Sequence, residues 1–360
     1  MTMRGQLTKS TREGNRERVC KMKAATKIGL LAAGIALSAS AAAQQLTLRV
    51  GDSFPVGHYI SENQTKPFMA EVEKRTNGKV RFQYFPAEQL GKAKDLMALT
   101  LSGVADIGYV APAFVSDKLP LSVVAELPES FSTSCQGTNA YWQLAREGGI
   151  LDRLEFQPNG VRALFVLVLA PYQVYMTKGR ELASLESFKG KKIRTTGGAK
   201  EIAIRKIGAV PVQIPTPEVR EAASRGTIDG FLFPHTSIMP YDLARHASAA
   251  TVGENFGSFV ATYMISRQKW DALPEDVRKV MIEVGNEIVA SGCKATDAME
   301  AAEIAKITQA GAQMKRLPDA DSRKLAALMS EVSSEWAAGL DQRGKKGSDV
   351  LKAFKDALAK

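Results

Sequence analysis

Two stretches of the chain repeat one pattern, and that pattern allows few folds. Phe82 to Val110 reads strand, Pro86, helix, Gly103-Val104-Ala105-Asp106, strand; Val212 to Phe233 reads strand, Pro215, helix, Gly226-Thr227-Ile228-Asp229, strand. In each copy the glycine suits the left-handed end of a helix, and at the aspartate the chain turns into a strand. Strands that alternate with helices form a largely parallel sheet covered on its faces. Two complete βαβ patterns, well separated in a chain of 360 residues, predict two similar lobes rather than one large sheet.

The connections follow from two apolar segments. Val161 to Ala170 is almost uninterrupted in its apolar character, and ten residues is near the upper length of a strand, reaching roughly 33 Å. A second such segment is Gly257 to Ser266. We read them as strands that cross from lobe to lobe and back, so that the lobes are hinged. Hinged lobes favour a small-ligand site between them. The expected division is lobe I over 44–170, lobe II over 171–257, and a returning hinge strand with C-terminal helices packed on both lobes over 258–360. In that last part Val277, Val280, Met281, Val284 and Ile288 keep a 3.6-residue period, and further helices carry Leu325 to Leu340 and Val350 to Leu358.

The N-terminus reads as an export signal. Lys23 and Lys27 flank an apolar run, Ile28 to Leu37, and Ala41-Ala42-Ala43 makes a small-residue cleavage site before Gln44. Residues 1–21 are polar and foreign to such a signal, so translation is expected to start at Met22 and the exported chain near Gln44. Without residues 1–43 the chain has 40 basic and 36 acidic residues, a net charge of +4 in place of +10. With no basic stripe interleaved with aromatics, there is no case for nucleic-acid binding. Export also bears on Cys135 and Cys293. An even pair in an oxidising compartment predicts a disulfide, which would tie the first lobe to a late helix; two separate buried thiols is the other reading.

The chain is poor in catalytic constellations. It has three histidines (His58, His235, His246) and neither a Gly-x-Ser-x-Gly elbow, a Cys-x-x-Cys pair nor a His-Glu-x-x-His motif. No metal and no cofactor is expected, and enzymatic activity is not expected. Arg194 stands apart. Lys192 to Thr195 reads as a short strand, and Gly197-Gly198 turns the chain into a helix over Ala199 to Ile207. An arginine at such a strand end sits on the rim where ligands bind in α/β sheets, and its planar fork suits a carboxylate. By itself it could equally pair with Glu218 or Asp229.

The ordered set Lys189-Gly190-Lys191-Lys192-Ile193-Arg194, Ile207-Gly208-Ala209-Val210-Pro211-Val212, Pro217-Glu218-Val219 and Gly226-Thr227-Ile228-Asp229-Gly230 resembles the solute-binding proteins of tripartite ATP-independent periplasmic (TRAP) transporters, the DctP-type family. The resemblance covers nearly all the chain after residue 44. It implies a two-lobed α/β periplasmic-binding-protein fold with a long late helix along both lobes. It also implies a periplasmic location, hinge closure on an organic acid, and delivery to integral membrane subunits. In that family the arginine ending the "lys-x-arg" strand pairs with the ligand's carboxylate, and Arg194 holds that position. Where several relatives carry a second arginine, about twenty residues earlier, this chain reads Pro171-Tyr172-Gln173-Val174-Tyr175. Where sugar-acid binders often carry an asparagine it has Phe233, and Lys92 replaces an acidic residue of some relatives. One arginine among aromatics implies a monocarboxylate with an apolar or aromatic body. The expected ligand contacts are Arg194, Gln173, Phe233, Tyr172 and Phe231 with Tyr109, His58 and Phe54 of the first lobe. A monomer is expected, without a membrane span after cleavage. A ligand-sensing subunit of a signalling system and, more remotely, a periplasmic enzyme are the competing readings.

Overall fold

The computed structural model describes residues 45–128 and 131–360; the export signal and the start at Met22 lie outside them. Among the described residues eleven strands appear in chain order: β1 (Leu46–Gly51), β2 (Val80–Phe85), β3 (Ile107–Val110), β4 (Val161–Val168), β5 (Gln173–Thr177), β6 (Lys192–Thr195), β7 (Val210–Gln213), β8 (Gly230–Phe233), β9 (Ala247–Thr251), β10 (Val260–Ser266) and β11 (Gln313–Lys315). They form two sheets, ordered β2-β1-β3-β10-β4 and β11-β9-β5-β8-β6-β7.

The repeated pattern is the parallel half of each sheet. In the first, β1 pairs in parallel with β2 and β3; in the second, β6 pairs in parallel with β7 and β8. The two aspartates of the repeat do the same work. Asp106 accepts the Arg49 backbone N–H at 2.8 Å, and Asp229 accepts that of Lys192 at 2.9 Å. Each therefore clasps the central strand of its βαβαβ unit to the strand that follows the glycine turn. Both glycines lie in the left-handed region, Gly103 at φ 76° and Gly226 at φ 67°, where a β-carbon is penalised.

One expectation is corrected. The apolar segments do not span the lobes as strands: their main parts, β4 and β10, pair with each other, antiparallel, inside the first sheet, and only their ends, 169–170 and 257–259, enter the crossings. A strand buried on both faces reads as a continuous apolar run, so that length signalled burial rather than reach. The crossings are the short stretches 169–172 and 252–259, and they bond to each other, Leu169 N–H to the Phe259 carbonyl at 2.9 Å and Tyr172 N–H to that of Gly257 at 2.7 Å.

The edge strand β4 is covered by the helices Ser134–Ala145 and Glu275–Gln309. Thr138 Oγ1 accepts the Val168 N–H at 2.8 Å, and Ser134 Oγ donates to the Val168 carbonyl at 2.5 Å. Side chains thus satisfy backbone groups that an open edge would leave bare. Glu275–Gln309 is one uninterrupted helix of 35 residues. It packs on β4 and the Lys66–Arg75 helix of the first lobe and on the His235–Ile238 turn of the second. A β-carbon at Gly285 would stand 2.3 Å from the Leu164 carbonyl oxygen, so only glycine lets this helix lie so close to the strand. Cys135 and Cys293 are bonded, their Cα atoms 4.7 Å apart, and join the two helices that cover β4.

Candidate functional site

Arg194 lies on β6 between Val212 of β7 and Phe231 of β8. It was expected on the rim of the sheet; instead it is fully enclosed, at 0% exposure. Its Nε donates to the Ile214 carbonyl at 2.8 Å, Nη1 to the Leu232 carbonyl at 3.1 Å and Nη2 to Thr216 Oγ1 at 2.9 Å. All three acceptors are neutral. Neither Glu218 nor Asp229 takes the charge, for Asp229 pairs with Arg180 at 2.7 Å. A guanidinium has five N–H donors, so two remain beyond these three bonds. Burial pushes the Arg194 pKa down to about 10, against which Tyr172, Tyr241 and Tyr109 act to raise it. It therefore stays charged at neutral pH, as a buried cation with no counter-ion among the described residues. Such a charge is costly to hold unpaired.

Aromatic rings continue from this cation across to the other lobe. The guanidinium carbon is 5.2 Å from the centre of the Phe233 ring. Phe233 meets Tyr241 edge-on at 5.6 Å and stacks with Tyr172 at 6.3 Å. Tyr241 meets His58 of the first lobe at 5.5 Å; His58 stacks on Phe54 at 4.5 Å, and Phe54 contacts Tyr109 at 4.6 Å. Five of the residues expected to contact ligand, Phe233, Tyr172, Tyr109, His58 and Phe54, thus join with Tyr241 in one chain of ring contacts beside Arg194. Tyr59 ties the lobes beside it, receiving a bond from Thr236 Oγ1 at 3.1 Å.

The first-lobe part of this chain of rings hangs on Asp52. Its carboxylate accepts the Phe54 N–H at 3.0 Å, the Tyr84 hydroxyl at 2.6 Å and the Tyr263 hydroxyl at 3.1 Å. The loop bearing Phe54 and His58 is thereby fixed to two strands. Burial nevertheless raises the Asp52 pKa to about 6.

Two of the expected contacts make their close bonds outside this group of rings. The Gln173 amide is occupied: Nε2 donates to the Glu254 carbonyl at 2.5 Å, and Oε1 accepts from Thr251 Oγ1 at 2.8 Å. It fastens the second crossing to β5, because backbone leaving a sheet must find new partners. Phe231 stacks on Tyr175, its register partner, at 5.3 Å and reaches those rings only through Phe233.

Sequence reading also missed a second buried cation. Lys200 Nζ pairs with Glu126 and donates to the Ser258 carbonyl at 2.7 Å; the two side chains are 1% and 2% exposed. Lys200 begins a second-lobe helix, whereas Glu126 belongs to the first lobe, so the pair bridges the lobes. Its signal was Glu126, the one charge in the run Leu119 to Leu127. Among the described residues no cluster of three or more His, Cys, Asp or Glu is placed to hold a metal.

Comparison with known proteins gives the family of the chain. Residues 54–339 match the family model DctP, described as bacterial extracellular solute-binding protein, family 7. The C4-dicarboxylate-binding periplasmic protein DctP of Rhodobacter capsulatus is 26% identical over 355 residues, spanning 92% of this chain and 97% of its own. A TRAP solute-binding protein from Rhodoferax ferrireducens, solved with copurified benzoate, superposes with a TM-score of 0.78 at 23% identity, over 87% of this chain and 98% of that one. A marine metagenome TRAP protein specific for aromatic acids, from an unidentified microbe and in complex with metahydroxyphenylacetate, gives 0.79 at 22%, also over 87% and 98%. The chain belongs to the bacterial extracellular solute-binding proteins of family 7, the DctP-type TRAP receptors, which bind a solute rather than transform it.

Proposed function

We propose that this receptor captures a monocarboxylate with an aromatic or apolar body between its lobes and delivers it to TRAP membrane subunits. The observation that carries this reading is the enclosed Arg194 guanidinium, with neutral acceptors on three donors and two donors to spare. A carboxylate supplies the missing charge and matches the planar fork. The number of carboxylates follows from counting cations. Lys200 is the other buried cation of this region and is already paired with Glu126, and burial holds His58 neutral with a pKa of about 3. One charge is left to neutralise, which favours a monocarboxylate over the C4-dicarboxylates of the Rhodobacter relative. The ring lining then suits an apolar body, as in the aromatic acids found on the two solved relatives.

Delivery to a membrane partner rests on the family. Among the described residues no helix is long and apolar enough to cross a membrane. Closure by the ligand requires that it touch both lobes, since only differential affinity shifts an equilibrium; Arg194 on one side and His58 with Tyr109 on the other meet that need.

The test is calorimetric titration with phenylacetate and with its neutral amide. The acid should bind and the amide should not. Arg194→Ala should weaken the acid by about 2–5 kcal/mol, roughly thirtyfold to several thousandfold. Arg194→Lys, with charge but no fork, should fall between. An amide as tight as the acid, or an unchanged Arg194→Ala variant, removes the carboxylate anchor.

A further inference from the structure

The two crossings between the lobes are fastened at one residue. Ser258 lies in the second crossing, fully enclosed, between the carbonyls of Gly257 and Phe259 that accept N–H bonds from the first crossing. Its own polar groups go three ways. The hydroxyl donates to the Leu169 carbonyl of the first crossing, and the N–H donates to the Glu126 carbonyl of the first lobe at 3.1 Å. The Ser258 carbonyl accepts from Lys200 Nζ of the second lobe at 2.7 Å. One residue on the hinge thus holds both crossings and both lobes.

Lys200 and Glu126 complete the joint. Their side chains pair with each other, and the Glu126 carboxylate also accepts the Val260 N–H at 3.4 Å, where the second crossing enters β10. Tyr172 of the first crossing and Phe259 of the second stand beside the ammonium, each ring centre 5.7 Å away, and they stack on each other at 6.3 Å. Gly257 lies at φ 94°, and a β-carbon there would stand 2.3 Å from the Glu126 carbonyl oxygen and 3.4 Å from Lys200 Cγ. Only glycine lets the crossing pass this close to both. A buried ion pair adds little net stability over apolar residues of the same size, so stability alone does not account for a charge pair here. Position does. An interaction far from a hinge is torn as the lobes part, whereas one seated on the hinge itself can survive the swing and hold its axis.

We infer that Lys200 is a positioning residue for solute capture: with Glu126 and Ser258 it forms the pivot about which the lobes close, so that Arg194 and the rings of the first lobe meet in one register. Its link to the binding side is Tyr172, whose ring stacks on Phe233 beside Arg194. A hydrogen-bonded charge pair fixes direction where apolar contact would let the lobes slide, and a fixed direction lowers the entropy that closure must overcome. The inference rests on the reading above that the lobes close on a solute, and does not depend on the solute's class.

The experiment measures the spread of interlobe distances by double electron–electron resonance on the full exported protein, spin-labelled through Lys94→Cys in the first lobe and Ser224→Cys in the second, both exposed positions. The test variant is Lys200→Leu with Glu126→Leu, which keeps the net charge and leaves no charge of the pair bare; urea unfolding shows that it is folded. Without solute it should give a broader distance distribution than the wild type, and Ser258→Ala, which removes no charge, should broaden it too. The double variant should bind phenylacetate roughly twofold to thirtyfold more weakly, the range for residues that act on a site without touching its ligand. That loss should lie in the dissociation rate, since a changed field at Arg194 would appear in association. A folded double variant with a distribution as narrow as the wild type overturns the pivot, as does a loss confined to association. If the wild type binds phenylacetate and its distances do not change, closure fails and the pivot with it. If phenylacetate does not bind, the carboxylate reading fails, and the solute-free widths still decide the pivot.

Discussion

The two lobes are built on one plan and differ where it matters for binding. In each, a central strand runs parallel between two neighbours, a left-handed glycine ends the second helix, and an aspartate clasps the central strand by its backbone N–H. Aligning Asp106 with Asp229 and Arg49 with Lys192 places Gly51 opposite Arg194. At Gly51 the chain has no room to spare, since a β-carbon there would stand 3.0 Å from the Leu90 side chain. The first lobe uses this strand-end position for close packing and puts its binding groups on the following loop, Phe54 and His58. The second lobe uses the same position for the charge. The scaffold thus tolerates opposite uses of one site because the clasp that holds it lies on the backbone, two residues earlier in the strand.

The largest effect should come from the contact that joins the lobes. Removing one partner of a buried ion pair leaves the other charge bare, at about 3–5 kcal/mol. Glu126→Leu or Lys200→Leu should each lower stability by that order in urea unfolding, and the double variant should recover most of it. If the double variant is no better than the singles, the pair does more than neutralise itself.

Asp52 belongs to the first lobe alone and should give it a pH response of its own. Burial raises its pKa from 3.8 to about 6, so the folded state binds the proton more tightly than the unfolded one. Its contribution is therefore fully present below pH 3.8 and is lost as pH rises through 6, over a span worth up to about 3 kcal/mol. Asp52→Asn should flatten the stability profile between pH 4 and 6, measured by urea unfolding at several pH values. An unchanged slope would assign the response to another carboxyl, such as Glu155, which burial raises to about 7.

The smallest effect tests the shared plan directly. Asp106→Ala and Asp229→Ala each remove the acceptor of a strand N–H, at about 1–2 kcal/mol. Asp106 should cost slightly more: its side chain is 6% exposed against 18%, and it also holds Arg49 at 3.2 Å and Lys269 at 2.9 Å. Costs that differ by several-fold would mean that the two clasps are not equivalent.

Much of the fold was legible because its signals are local. Strand β6 spans Lys192–Thr195, where the chain was read to have it, and the late apolar period became the helix Glu275–Gln309. The error over β4 and β10 had a physical cause, since an apolar run shows that a strand is buried but not which sheet buries it. The aromatic residues of the site were nameable singly, but nothing near Gln173 in the chain shows that its amide bonds to Glu254 and Thr251. Tyr241 carried no signal, and Lys200 only an indirect one, the lone charge of Glu126 in an apolar run.

What the sequence determined by itself was therefore the repeated βαβ unit, its glycine turns and the placing of Arg194 at a strand end, since these depend on residues within a few positions of one another. Only the tertiary structure decided that Arg194 is enclosed with no counter-ion among the described residues, that Lys200 is neutralised by Glu126 seventy-four residues away, and that the rings of His58 and Tyr241 meet across the lobes. Whether a charge or a polar atom is satisfied depends on what distant segments bring within about 3 Å of it, and the spacing of residues along the chain does not contain that distance.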